Sequence, residues 1–366
     1  NAGNVIDASG DGANVARGGG LYLDGVDPTV TSSSVADNEA LAAGNDATAA
    51  AGGVYLTSSV EVASLTGCTL DGNAATATPT AGSESFASAE GGAIFSVSAE
   101  KLLTLTECSL SDNSAQAMIA GADDGAARGG AVWIYGSSGT LEHRLVLDRS
   151  TVANNTVQAD GAAQGGGVYG VAATGDAIVT VVVRNSTLTG NAVVGDLGRG
   201  GAIYAATVSG DAVANVGLFS STVTLNTATD SAGGLYLEQG TSTAVLNAGM
   251  ANSILFGNMA PAAPECSVDD TDMGSLGFNM IGDDSGCTFV GATSDDMLGI
   301  NPGLSPLAAN GGATLTHAID GTSPAFDAGA PDGCNDEDLV ELTVDQRGED
   351  RPASVACDVG AFELQP

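Results

Sequence analysis

The chain has 366 residues, of which 44 are acidic and 9 are basic, giving a formal net charge of −35. Because so few Lys and Arg residues are available to neutralise phosphates, we expect no nucleic-acid partner. Only 4% of the residues are aromatic while 53 are glycine, so the fold must pack small side chains. The sequence contains no run of 18 or more apolar residues, which predicts that this chain has no transmembrane segment.

Two sequence signals recur along the first two thirds of the chain. The first is a glycine pair followed by an aromatic residue, which places in equivalent positions Tyr22, Tyr55, Phe95, Trp133, Tyr169, Tyr204 and Tyr236. The second is a Ser or Cys, then an aliphatic residue two positions later and an asparagine three positions beyond, the asparagines being Asn38, Asn73, Asn113, Asn155, Asn191, Asn226 and Asn258. Both signals occur seven times, so they indicate a repeat protein.

Within the repeats, aliphatic residues recur at every second position, as at Val179, Val181 and Val183. This alternation is typical of strands. The alternation is interrupted at pairs of residues such as Thr66-Gly67, which predicts a tight bend. Each repeat is therefore predicted to form strand, strand, bend, strand. The stretches between each asparagine and the next glycine pair are predicted to be loops. Stacked repeats of this kind indicate a solenoid. We predict an all-β, right-handed parallel β-helix of about seven long coils, with the hand taken from the preference for right-handed crossovers.

The predicted β-helix covers residues 1–260, and residues 261–366 are predicted to form an irregular C-terminal cap. Within the β-helix, equivalent residues are expected to stack in ladders of aromatic, aliphatic, Ser or Cys, and Asn side chains. Two interpretations of the aromatic ladder remain open, an outward strip that stacks on sugars and packing in the core. Core packing is the favoured one.

The glycine signal reads Gly91-Gly92-Ala93-Ile94, Gly129-Gly130-Ala131-Val132 and Gly200-Gly201-Ala202-Ile203. Together with the asparagine signal, in which Leu or Val replaces Phe, it resembles the GGAI and FxxN repeats of the chlamydial polymorphic outer membrane proteins. The resemblance spans about residues 15–260. It implies a surface-exposed bacterial β-helix, since several of those proteins are adhesins.

A different pattern follows in the C-terminal part. Its motifs are Asn301-Pro302-Gly303-Leu304-Ser305-Pro306, Ser323-Pro324-Ala325-Phe326-Asp327-Ala328-Gly329, Asp345-Gln346-Arg347-Gly348, and Cys357-Asp358-Val359-Gly360-Ala361-Phe362-Glu363. They resemble the choice-of-anchor Q region of secreted bacterial β-helix proteins, over about residues 275–364. This resemblance implies an extracellular location, secreted or at the cell surface.

Six cysteines in a chain that resembles secreted proteins suggest disulfides. Cys266 with Cys287, and Cys334 with Cys357, would close short loops in the C-terminal part. Cys68 and Cys108 occupy the same ladder position in adjacent coils, so either a bridge or two stacked buried thiols is compatible with the spacing.

Polysaccharide cleavage is the enzymatic alternative. The best constellation for it comprises Glu142, Arg144, Asp148, Arg149 and Arg184. Lyase chemistry needs a base beside a cation that neutralises the uronate, whereas hydrolysis needs paired carboxylates. Alternation places His143 inward, and a salt-bridge patch on an exposed strand is the favoured interpretation. His317 is expected to be a packed or hydrogen-bonded residue of the cap.

Clustered aspartates are candidate calcium ligands, since carboxylate oxygens suit this cation. They are Asp269, Asp270, Asp272, Asp283, Asp284, Asp295 and Asp296. Calcium is the only cofactor that the sequence suggests.

The even repetition and the shortage of basic residues favour a non-catalytic protein over an enzyme. We expect a secreted or cell-surface β-helix protein in adhesion, extracellular matrix or surface structure, with filament formation as a variant. Its expected partners are cell-surface or matrix glycans or other copies of itself. The alternative is a calcium-dependent polysaccharide lyase or glycoside hydrolase.

Overall fold

A computed structural model describes residues 3–10, 13–25, 27–79, 86–98, 101–118, 125–137, 141–241, 243–268 and 271–366. Within these residues the fold is all-β, with 39 strands and one 3₁₀-helical turn at Thr293–Asp295. The strands stack in parallel sheets.

The strand bounds follow in chain order. Those of the first half are β1 (Val5–Ser9), β2 (Ala13–Arg17), β3 (Leu21–Leu23), β4 (Thr29–Thr31), β5 (Ser34–Ala36), β6 (Glu39–Gly44), β7 (Asp46–Ala50), β8 (Val54–Leu56), β9 (Val62–Thr66), β10 (Thr69–Asp71), β11 (Ala74–Pro79), β12 (Phe86–Glu90), β13 (Ile94–Ser98), β14 (Lys101–Thr106), β15 (Ser109–Ser111), β16 (Ser114–Ala117), β17 (Gly125–Arg128), β18 (Val132–Gly136), β19 (Glu142–Asp148) and β20 (Thr151–Ala153). The remainder are β21 (Thr156–Ala159), β22 (Ala162–Gln164), β23 (Val168–Ala172), β24 (Ile178–Arg184), β25 (Thr187–Thr189), β26 (Ala192–Val194), β27 (Leu197–Arg199), β28 (Ile203–Thr207), β29 (Val213–Phe219), β30 (Thr222–Thr224), β31 (Thr227–Ala228), β32 (Leu235–Gln239), β33 (Val245–Ala251), β34 (Ile254–Phe256), β35 (Cys266–Val268), β36 (Met273–Ser275), β37 (Met280–Ile281), β38 (Phe289–Gly291) and β39 (Met297–Leu298).

Five sheets are visited in turn, so that every fifth strand from β1 to β30 returns to the same sheet. We number the sheets by their first strands: the first sheet begins with β1, the second with β2, the third with β3, the fourth with β4 and the fifth with β5. The third, fourth and fifth sheets continue past residue 260, through β35 to β39. This connectivity is consistent with a β-helix or solenoid.

The first and second sheets lie in stretches that the sequence analysis predicts to be loops. That prediction is wrong: between Asn73 and Gly91, for example, the chain forms β11 and β12. These strands consist largely of alanine, which has a low intrinsic strand preference. They form because their alanines face one another in a buried cluster that is separate from the aliphatic core of the other three sheets.

Glycine pairs turn the chain from the second sheet into the third. Gly91 has φ of +65°, a conformation that L side chains rarely adopt. Gly92 has another role, because a Cβ there would lie 2.2 Å from the carbonyl oxygen of Gly130 in the neighbouring repeat. The first glycine therefore permits the turn, and the second permits the close stacking.

The predicted asparagine ladder is present and buried. The Nδ2 of Asn113 donates to Oδ1 of Asn155 in the next repeat at 2.9 Å. It also donates to the carbonyl oxygen of Leu70 in the preceding repeat at 3.0 Å. The ladder ends at Glu265, whose Oε2 accepts from Nδ2 of Asn258 at 2.6 Å. A carboxylate thus takes the place that the next asparagine would occupy.

Residues 299–366 pack against the outer faces of the fourth and fifth sheets. Gln346 Nε2 donates to Oγ1 of Thr151 at 2.9 Å, and Arg351 Nη1 donates to Oδ1 of Asn185 at 2.9 Å. The sequence analysis predicts an irregular C-terminal cap for residues 261–366, and these contacts place residues 299–366 against the side of the stack. Outward threonines of the fifth sheet, such as Thr187, are buried as a result.

Candidate functional site

The proposed catalytic residues lie on the outer face of the fourth sheet. Glu142, Arg144 and Asp148 belong to β19, Arg149 follows that strand directly, and Arg184 pairs in register with Asp148. The structure therefore brings all five together on one flank of the molecule.

Carboxylates from the C-terminal segment meet these arginines. Arg144 lies 2.7 Å from Glu337 and 3.5 Å from Glu142. Arg184 lies 3.4 Å from Asp336 and 3.2 Å from Asp148. These ion pairs join a sheet to a segment more than 150 residues away in sequence.

Arg149 makes a third set of ion pairs, at 2.8 Å to Glu107 and 3.8 Å to Asp148. Sequence reasoning did not pair Asp336 and Glu337 with this basic patch. The available signal was charge complementarity between an acidic triplet, Asp336 to Asp338, and a group of arginines in a chain with very few basic residues.

An open groove of about 460 Å³ begins at this patch and extends over the later strands of the fourth sheet. Its floor is formed by Gly217, Gly249 and Gly274, which pair in register on β29, β33 and β36. We call it the glycine groove. The residues in register before these glycines are Ser64, Thr104, Val146 and Val182, and the residue after them is Val290.

The two sides of the glycine groove differ in chemistry. Asn215 and Asn247 lie on one side, with Nδ2 of Asn247 donating to Oδ1 of Asn215 at 2.9 Å. Nδ2 of Asn215 in turn donates to Oγ1 of Thr180 at 2.9 Å. Phe219 and Leu276 form the apolar opposite side. The groove is thus shaped for a ligand with one polar edge and one apolar face.

A second cavity of about 340 Å³ lies between the fifth sheet and the C-terminal segment and includes His317. The imidazole is held by contacts with the Ser305 carbonyl at 2.7 Å and with Thr189 Oγ1 at 3.0 Å. Burial lowers the pKa of His317. These contacts give His317 the packed, hydrogen-bonded position that the sequence analysis predicts.

His143 faces inward and is buried beside Lys101, its partner in register. Its Nε2 lies 3.1 Å from Ser96 Oγ, and burial lowers its pKa to about 3, so the imidazole is neutral. Lys101 Nζ donates to the carbonyl of Thr57 at 2.8 Å, and burial lowers its pKa to about 8. The serine and histidine are both fully enclosed, so this pair has no route to a substrate.

Disulfides join Cys266 to Cys287 and Cys334 to Cys357, as the sequence analysis predicts. These bonds are compatible with a secreted protein. Cys68 and Cys108 are buried free thiols, so of the two alternatives the structure has the stacked pair. Burial raises the pKa of the Cys108 thiol to about 12, which makes it unreactive.

Five of the seven aspartates proposed for calcium lie within the described residues, and Asp269 and Asp270 lie outside them. Asp296 accepts from the backbone N–H and Nδ2 of Asn279, at 3.0 and 2.9 Å. The side chain of Asp283 accepts from the backbone N–H of Ser285. In the described part of the chain, no three or more His, Cys, Asp or Glu side chains are grouped to hold a metal ion.

The aromatic ladder is buried, with ring centroids 4.2 to 6.2 Å apart and nearly parallel planes. It packs in its own cluster, separate from the main aliphatic core. Arg128 lies over the Tyr169 ring and Arg199 over the Tyr236 ring, which helps to cover the stack. Only Tyr22, at the start of the stack, is mostly exposed among its rings.

Among the described residues, no helix has the length and apolar character needed to cross a membrane. Comparison with known proteins adds no relative: no family model, curated protein or solved structure matches this chain.

Proposed function

We propose that this chain is a non-catalytic, secreted or cell-surface β-helix protein of bacterial type that serves adhesion, extracellular matrix or surface structure. In this proposal the sheets wind as a right-handed parallel β-helix of about seven long coils, with the C-terminal segment packed on its side. Its partners are cell-surface or matrix glycans or other copies of itself, with calcium as an optional ion and filaments as a variant.

One observation carries the proposal: the arginines of the candidate catalytic patch are held in ion pairs with the C-terminal segment. Arg144 contacts Glu337 and Arg184 contacts Asp336, and each carboxylate lies more than 150 residues further along the chain than its arginine. These arginines therefore have a structural task, the attachment of the segment to the fourth sheet. Neither is left over to act as the base or the uronate-binding cation of a lyase.

The alternative, a polysaccharide lyase or glycoside hydrolase, is favoured by one feature of the glycine groove. Glu142 and Glu337 both lie within 3.5 Å of the Arg144 guanidinium, where the groove begins. Two carboxylates flanking a groove are the minimum equipment of a glycosidase.

The test combines adhesion with cleavage. Purified protein is incubated with bacterial cell surfaces and extracellular matrix, and separately with uronate-containing and neutral polysaccharides, with calcium and with chelator. Surface binding without any new reducing or unsaturated ends supports the proposal. Cleavage that Glu142→Gln and Glu337→Gln each abolish would establish the enzyme instead.

Electron microscopy of the same samples decides the form of the surface role. Filaments or sheets that dissolve in chelator would make calcium-dependent assembly the function. Isolated particles in both conditions, together with surface binding, would favour adhesion.

A further inference from the structure

We propose that the glycine groove binds a linear, neutral polysaccharide along the axis of the sheet stack. This inference rests on the proposed surface function and adds the ligand class and the site. The groove lies on the later strands of the fourth sheet, with a volume of about 460 Å³, which is within the range of small-molecule sites.

The amide side of the groove offers hydrogen bonds. Asn215 and Asn247 stand in register on adjacent strands. Asn247 donates to Asn215, and Asn215 donates to Thr180, so these two hydrogen bonds fix the orientation of both amides. An amide carries two N–H donors and an oxygen with two acceptor sites, so each has capacity beyond these bonds. Two amides held side by side, each able to donate and to accept further hydrogen bonds, are suited to the hydroxyl groups of a sugar chain.

The apolar side of the groove is suited to the faces of sugar rings. Phe219 and Leu276 line the groove opposite the amides. Leu276 is 57% exposed and supplies most of the apolar surface, whereas Phe219 is 6% exposed. A pyranose ring has hydroxyls at its edge and C–H groups on its faces, and aromatic side chains pack well against such faces. An occupant of this groove must therefore be amphipathic in cross-section, as a sugar is.

The floor glycines differ in what surrounds them. At Gly217 a Cβ would lie 2.5 Å from Cε2 of Phe219, so this glycine makes room for the ring, whereas the fold itself does not require glycine at position 249. None of the three floor glycines has a positive φ. A Cβ added to Gly249 would meet only the carbonyl oxygen of Gly274, at 3.5 Å, an ordinary contact. Glycine weakens a strand, and its use inside one often marks the close approach of another molecule. Val182 and Val290 stand in register before and after these glycines, so the glycine floor is three strands long.

Charge and hydrogen bonding select the ligand class. Glu142, Glu337 and Asp338 outnumber Arg144 in the groove lining, and the chain has a net charge of −35, so a polyanion is repelled. A peptide that binds by adding a strand would need an unpaired strand edge. The central strand β33 is already paired with β29 and β36 on both sides.

The experiment measures binding of the full chain to hydroxyethylcellulose, mannan and galactomannan by affinity electrophoresis, with alginate and oligolysine as competing classes. Gly249→Val fills the floor, and Asn247→Ala removes one amide from an exposed position. Ser64→Val is the matched control, because residue 64 stands in the same register row outside the groove. Thermal unfolding of each variant verifies that it is folded.

We expect the wild type and Ser64→Val to bind at least one neutral glycan equally, and both groove variants to lose about tenfold or more in affinity. Equal binding by the wild type and both groove variants would overturn the proposal, as would preferential binding of alginate or oligolysine. If the wild type adheres to surfaces but binds no neutral glycan, the groove assignment fails and the proposed function stands. If it binds and also cleaves the glycan, the groove assignment stands and the non-catalytic function fails.

Discussion

The stacked sheets and the C-terminal segment are stabilised by different kinds of contact. In the stack one neutral contact is repeated, as when Asn113 and Asn155 donate to the asparagine of the next repeat. In the segment the contacts do not repeat, and several of them are ion pairs, as between Arg351 and Glu363, which lie 2.9 Å apart and are fully buried. Four of the nine basic residues form ion pairs with carboxylates of this segment.

The difference shows what repetition achieves. A repeating chain specifies its register by matching like with like, so it needs no ion pair to set that register. A segment without repeats has to find a single position, and a buried charged pair penalises every other position strongly. Breaking one rung of the asparagine ladder should therefore weaken the stack locally, whereas breaking one buried ion pair should release the segment.

The largest expected effect is that of Arg351→Ala. Arg351 also donates to the carbonyl of Gly360 and to Oδ1 of Asn185, so its loss leaves Glu363 as a buried, uncompensated charge. We expect the free energy of unfolding of the segment to fall by about 3–5 kcal/mol. Limited proteolysis should then cleave within residues 299–366 while the stack stays intact.

The control for this experiment is Asp230→Asn, which removes the partner of Arg199 from a pair that is partly exposed, at 27% and 40%. That change should alter stability by about 1 kcal/mol or less. If Arg351→Ala resists protease as well as the wild type does, the buried pair does not position the segment.

The second effect is a pH dependence at Glu265, where the asparagine ladder ends. Burial raises the pKa of this carboxyl from 4.5 to about 7. The folded state therefore binds its proton more tightly than the unfolded state. The resulting stabilisation is complete below about pH 4.5 and is lost as the pH rises through about 7.

Over that range the loss attributable to Glu265 should amount to about 3 kcal/mol. Glu265→Gln cannot titrate, so the difference between the wild type and this variant in unfolding free energy, measured by denaturant at a series of pH values, isolates the group. Parallel pH profiles for the two proteins would show that Glu265 does not titrate in this range.

The third effect concerns an interior rung of the ladder. Asn155→Ala leaves the backbone N–H and Nδ2 of Asn113 without their acceptor and the Leu110 carbonyl without its donor. We expect a loss of about 2 kcal/mol in unfolding free energy, measured by denaturant titration. Asn247→Ala, at an exposed position, should change stability by about 0.5 kcal/mol or less. A loss no larger for Asn155 than for Asn247 would contradict a structural role for the ladder.

Repetition made much of the fold predictable. Equivalent residues such as Asn73 and Asn113 had to stack once the repeats were recognised, and alternation placed His143 inside. Contacts that occur once were not predictable: Arg144 and Glu337 are separated by 193 residues, and only the path of the segment brings them together. Lys101 was also missed as a core residue, because its position follows from the register with His143 and not from its own chemistry.

The smallest effect tests the ion pair on which the proposed function depends. The Arg144 and Glu337 side chains are 26% and 15% exposed, so solvent screens part of their attraction. A double-mutant cycle with Arg144→Met and Glu337→Gln should give a coupling energy of about 1 kcal/mol that falls with ionic strength. The same cycle between Arg144 and Glu39, which lies on the first sheet, should give none. If Arg144 and Glu337 are equally uncoupled, the pair does not hold the segment to the fourth sheet. Glu142 and Glu337 would then be available for chemistry, and the glycosidase alternative would become the better explanation of the groove.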